Sequence, residues 1–125
     1  MNELYATLLS WTMLLLGEAG IPPPLPDIVY VWPEFFYERA CHHQPCKVLG
    51  WYPGGGTVYF DIRLREALRD SSHPANSFAA SVVVHEFVHW RQRVAGQYSD
   101  VCDTIIDLEK VAYDVQRRFL VAQGD

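Results

Sequence analysis

His85-Glu86-Phe87-Val88-His89 sets two imidazoles four residues apart with a carboxylate beside the first. On an α-helix residues i and i+4 lie one above the other, so both rings can reach a single metal ion, and Glu86 projects next to it. A carboxylate in that position can accept a proton from a water that the metal has acidified toward neutrality, which is the chemistry of metal-assisted hydrolysis. The geometry exists only on a helix: in a strand the two histidines would stand roughly 13 Å apart at about 3.3 Å per residue and could not share an ion. The β-branched run Val82-Val83-Val84 favours a strand. Against it, Val83, Phe87, Trp90 and Val94 recur at helical spacing, Asn76 and Ser77 offer N-caps upstream, and the segment is longer than a usual strand. The sequence therefore predicts a helix over about 75–95, stopped by Gly96.

A catalytic zinc site usually takes three protein ligands and leaves one position open. No histidine follows His89, so the third ligand must be acidic, and a predicted helix over about 100–122 offers Asp100, Asp103, Asp107, Glu109 and Asp114. Its core stripe is Val101, Ile105, Leu108, Ala112, Val115 and Phe119. Beside it, Cys102, Ile106, Glu109, Tyr113 and Gln116 share a second stripe, so Glu109 is the acid with apolar or aromatic neighbours a turn away on either side. A carboxylate in such surroundings is costly unless it is paired or bound to a metal. Asp100 and Asp103 suit the positive end of the helix dipole, and Asp103, Asp107 and Asp114 lie on more polar parts of the wheel.

The H-E-x-x-H pentapeptide, nineteen intervening residues, and Glu109 in Glu-Lys-Val-Ala-Tyr-Asp-Val-Gln together resemble the gluzincin metallopeptidases. The short length and the order strand, hairpin, H-E-x-x-H helix, glutamate helix are similar to the single-domain minigluzincins, over roughly residues 48–120. The resemblance implies zinc held by His85, His89 and Glu109, with Glu86 as general base in a peptidase acting on a peptide or protein substrate. Larger gluzincins often carry an aspartate four residues after the ligand glutamate to orient a histidine. Tyr113 stands there in this chain, with Asp114 one further, so that partner of His85 is unassigned. Thr57 to Asp61 resembles the edge strand that aligns an extended peptide, and Tyr113, His73, Tyr98 and Arg117 are candidate donors to an oxyanion. Glu109-Lys-Val-Ala112 is also similar to the E-x-x-A segment of phage and stress-response metallopeptidases that cleave one repressor. The rival from another class is a non-catalytic binding or scaffold protein that keeps zinc for stability.

These residues must be positioned by one small domain, since 125 residues leave no room for a second. Half the chain is hydrophobic, which excludes a disordered protein. Ten Lys plus Arg against fifteen Asp plus Glu, with no basic cluster longer than Arg117-Arg118, argue against nucleic acid as a partner. The apolar stretch from Leu4 to Leu16 is short of the roughly 20 residues that span a bilayer. It lacks the basic flank of a signal peptide and reads as a buried helix over about 2–18, a degenerate signal peptide being the competing reading. A stiff Pro-rich connector over 21–26 follows, then a strand over 27–32 buried on both faces, and a short helix over 34–40 begun by Pro33. Lys47 to Tyr52 and Thr57 to Asp61 read as a hairpin around Pro53-Gly-Gly-Gly56, followed by a helix over 62–70 and a break at Ser71 to Pro74. Cys41, Cys46 and Cys102 allow a short-loop disulfide, a bridge to Cys102, or, less simply, a second metal site with His42 and His43. The expected class is α+β: an N-terminal helix, a short three-stranded sheet including the hairpin, and the H-E-x-x-H helix packed on the glutamate helix.

Overall fold

The computed structural model describes residues 2–70, 75–97 and 101–124. In chain order the elements are α1 (Asn2–Leu15), β1 (Asp27–Val31), α2 (Pro33–Arg39), β2 (Gly50–Trp51), β3 (Thr57–Asp61), α3 (Ile62–Arg69), α4 (Ala75–Val94) and α5 (Cys102–Ala122). This is the expected α+β arrangement. Ser71 to Pro74, with His73, and likewise Tyr98 and Asp100, lie outside the described residues.

β1 runs parallel to β3, from Asp27↔Thr57 to Val31↔Asp61. β2 pairs antiparallel to β3 through Gly50↔Phe60 and Trp51↔Tyr59, giving the order β1-β3-β2. A parallel pair needs a long crossover, and the segment between β1 and β3 supplies it while carrying α2 and β2. Alternation along β3 turns Val58 and Phe60 fully inward. On the opposite face Tyr59 meets Phe35 of α2 and Trp51 of β2, at ring-centroid distances of 4.7 and 5.8 Å.

α4 is the central element, contacted by α1, α3, α5 and β2. Ala79, Val83, Val84, Phe87 and Val88 are all completely buried, so its apolar surface runs around most of the helix. A helix that is apolar all round must be covered all round, which is why the remaining helices gather on it. Asp61 caps α3 by accepting the Arg63 N–H at 2.9 Å. The Asn76 amide donates to Leu68 O at 3.0 Å and ties the start of α4 to the end of α3. Gly96, at φ +76°, allows the Gln97 N–H to close back on Gln92 O at 2.8 Å, the left-handed stop that ends α4.

α1 belongs to the core, with Tyr5, Leu8, Leu9, Thr12 and Met13 buried, and Trp11 meeting Phe119 of α5 edge-on at 5.6 Å. Trp90 of α4 donates from Nε1 to Pro24 O at 3.0 Å, which fastens the Pro-rich connector. Among the described residues no helix is long and apolar enough to cross a membrane. Cys41 and Cys46 form a disulfide and Cys102 is free and exposed, so neither a bridge to Cys102 nor a thiolate site around His42 and His43 is present. Closing so short a loop contributes about 2 kcal/mol on the chain-entropy account.

Four expectations need correction. β1 is only half-buried, with Val29 exposed, because its outer face has little to cover it. The strand expected over 47–52 is confined to Gly50–Trp51; before it, the ladder continues only as the Asp61 N–H bond to Leu49 O. β3 is the central strand, so the free edge beside the hairpin belongs to β2. The α5 stripe is buried at Ala112, Val115 and Phe119, whereas Val101 and Ile105 are exposed where α5 reaches the end of the core.

Candidate metal centre

One turn of α4 and one residue of α5 supply the centre. His85 and His89 follow each other on α4 and lie face to edge, with ring centroids 5.1 Å apart. α5 passes alongside and presents Glu109 to both. The Nε2 of His85 lies 3.1 Å from Glu109 Oε1, and the Nε2 of His89 contacts the same oxygen. One ligand atom from each of these three residues falls within 4.8 Å of the other two. Two imidazole nitrogens and one carboxylate oxygen converging from two helices are the donor set of a three-ligand zinc site. The residues present therefore fit the metal that the resemblance implies.

Glu86 stands at the edge of this group, with Oε2 4.0 Å from His85 Nε2. It is buried, and burial pushes its carboxyl above the usual glutamate value, opposed by His85 and His89; Glu109 pushes it further up, and a hydrogen bond from the Tyr52 backbone N–H pulls it down. Gly50 of β2 lies against it: a Cβ at this position would sit 2.9 Å from Glu86 Cγ and 3.2 Å from the Phe60 ring. The absence of a side chain at Gly50 is what lets Glu86 occupy its place.

Glu109 is the opposite case. Its side chain is 39% exposed, and hydrogen bonds from His85 and His89 hold its carboxyl far below the usual range against a smaller opposing effect of burial. His89 is pushed up: burial opposes its charge, but the Glu109 hydrogen bond, the Glu86 charge and Gln92 outweigh it. The cost expected of an acid on the second α5 stripe is thus met by the two histidines. Glu109, Tyr113 and Gln116 of that stripe line a cleft and not the core, and Ile106 is exposed.

Two glutamines outside the expected ligand set complete the surroundings. Gln116 Oε1 lies 2.9 Å from His85 Nδ1, and Gln92 Oε1 lies 2.9 Å from His89 Nδ1. Gln116, and neither Tyr113 nor Asp114, is therefore the hydrogen-bond partner of His85 Nδ1. The only signal for it in the sequence was its place on the Glu109 stripe; Gln92, three residues after His89, carried none.

The centre opens into a cleft of about 600 Å³. Val48, Leu49 and Trp51 form one wall, and Phe78, Ile105 and Tyr113 belong to the helical side. The Tyr113 ring meets His85 edge-on at 4.5 Å, and its hydroxyl is held above its usual pKa by burial and by the charges of Glu109 and Glu86. Arg117 is not part of the site; it is exposed and pairs with Asp114 at 2.7 Å. The chain matches no protein-family model, no curated protein and no solved structure. The functional reading accordingly stands on the geometry of these residues.

Proposed function

We propose that the protein is a zinc-dependent peptidase whose centre is similar to that of the gluzincins. The observation that carries this reading is the convergence of His85 Nε2, His89 Nε2 and Glu109 Oε1 next to a buried carboxylate on the same helix. Zinc, when bound, supplies Lewis acidity toward water and a scissile carbonyl. Glu86 accepts the proton of the attacking water on its carboxylate and delivers it to the leaving amine. Its burial suits both steps, because a carboxyl raised toward solution pH is a better proton donor in the second without ceasing to be a base in the first. Tyr113, kept protonated, is the donor for the developing oxyanion. An extended peptide lies along the free edge of β2, whose Gly50 and Trp51 line the cleft, and pairs with its backbone.

Peptide-library cleavage read by mass spectrometry tests this, with the zinc removed by chelation and then restored. The reading expects cleavage that disappears and returns with zinc. Unfolding on chelation with no peptide cut at any stage would instead favour a zinc-stabilised scaffold.

Two further outcomes follow from the same geometry. Gly50→Ala forces its Cβ onto Glu86 and Phe60, so kcat/KM should fall on the order of 10²-fold from displacement of the base, and stability should drop by about 1–3 kcal/mol from overpacking, with zinc retained. Unchanged kcat would remove Glu86 from the reaction. Zinc affinity should rise with pH through neutrality and level off above the raised pKa of His89, because zinc must displace that proton. Glu109 is already ionised across this range and adds no slope. Titration at several pH values checks it, and a flat profile would contradict His89 as a ligand.

A further inference from the structure

We infer that Gln92 and Gln116 are positioning residues that hold both imidazoles by Nδ1, so that Nε2, which faces Glu109, is the nitrogen turned to zinc, each through a hydrogen-bond chain anchored on a main-chain carbonyl. The inference rests on the zinc reading and concerns how this chain prepares its ligands.

The far end of each chain sets its direction, outright where it is a carbonyl and through the Ser81 hydroxyl's own bond where it is not. A carbonyl only accepts. The Ser81 hydroxyl donates to Phe78 O at 2.6 Å, so its oxygen is free to accept from Gln116 Nε2 at 3.2 Å. With Ser81 so oriented, Gln116 presents Oε1 to His85, and His85 Nδ1 carries the proton. On the other ligand, Gln92 Nε2 donates to Leu108 O at 3.1 Å, which turns Gln92 Oε1 to His89 and puts the proton on Nδ1 there too. In both rings the remaining nitrogen, Nε2, is the one that faces Glu109. The two chains cross the helix interface in opposite directions: Gln92 reaches from α4 to the α5 backbone, and Gln116 from α5 to Ser81 on α4. Docking of α5 on α4 therefore delivers Glu109 and orients both histidines in the same event. Gln92 is 3% exposed, so its amide is desolvated and cannot exchange these partners for water.

The anchors differ in one respect that makes the inference sharp. Ser81 is a hydroxyl and can rotate to donate, whereas Leu108 O cannot. A carboxylate at 116 can accept from both His85 and Ser81, but a carboxylate at 92 would face the Leu108 carbonyl, acceptor against acceptor. Glutamate should thus substitute for glutamine at 116 and fail at 92.

Zinc dissociation constants by chelator competition, with visible spectra of the cobalt-substituted protein, test this on wild type, Gln116→Leu, Gln116→Glu, Gln92→Leu and Gln92→Glu. Gln116→Leu and both position-92 variants should bind zinc roughly 10–100-fold more weakly, the usual cost of losing an outer partner of a metal-bound histidine. Gln116→Glu should bind at least as tightly as wild type and keep its cobalt spectrum. Wild-type binding with Gln116→Leu unchanged, or with Gln116→Glu as weak as Gln116→Leu, overturns the inference and leaves the zinc reading standing. Should position 92 variants fail to fold, the leucine and glutamate pair at 116 decides alone. Absence of zinc binding by wild type overturns both.

Discussion

Glu86→Gln should lower kcat/KM for peptide hydrolysis by roughly 10²–10⁴-fold, the contribution of a positioned general base, while zinc binding stays within a few-fold of wild type. Glu86 is not among the three converging ligand atoms, and its Oε2 stands 4.0 Å from His85 Nε2, beside the ligand set and outside it. The amide fits the same space between Gly50 and His85 and accepts the Tyr52 N–H as the acid does, but it cannot take a proton from water. Because a buried carboxyl raised by desolvation is replaced by a neutral group, metal-free stability should hold or rise. A variant that keeps wild-type turnover would remove Glu86 from the mechanism. One that loses zinc as well would make it a ligand.

Glu109→Ala should abolish activity through the metal. Loss of a direct ligand should weaken zinc by more than the roughly 100-fold that loss of an outer partner can cost, and leave two histidines that are no longer bridged. The metal-free protein should register the same substitution with a distinctive pH dependence. Glu109 is held below its ordinary value, so its contribution to stability is present above the usual carboxylate range and is lost as pH falls through the depressed one. His89 is held above its ordinary value, so its contribution is complete below the usual imidazole range and is lost as pH rises through the raised one. Both are present together in mildly acidic solution. Urea melts of metal-free wild type and Glu109→Ala should differ most there and converge at alkaline pH and at strongly acid pH; a difference independent of pH would mean that Glu109 is not paired with His89.

What the sequence disclosed was what local spacing controls. His85 and His89 at i and i+4, with the acid at Glu109 on the stripe facing them, required only that two helices form and dock, and both do. The valines at 82–84 made a strand conceivable because α4 is buried on nearly every side, and such a helix shows little periodicity. The residues that escaped notice depend on distant register. Gln116 meets His85 across 31 positions of sequence and only because α5 docks at one particular height on α4. Gln92 is close to His89, but its second bond, to Leu108 O, comes from the other helix. Taking β3 for an edge strand has the same origin: hairpin signals are local, whereas the parallel partner β1 that encloses β3 comes from beyond α2. The exposure of Ile105 likewise reflects where the core ends, which periodicity along α5 does not encode.

X-ray absorption on the zinc-loaded protein tests the central claim most directly, namely that His85, His89 and Glu109 hold one zinc between them. The account predicts one bound zinc with two imidazoles and oxygen donors, and loss of one imidazole in His89→Ala. A sulfur shell from Cys102, a spectrum unchanged by His89→Ala, or no zinc retained at all would contradict it.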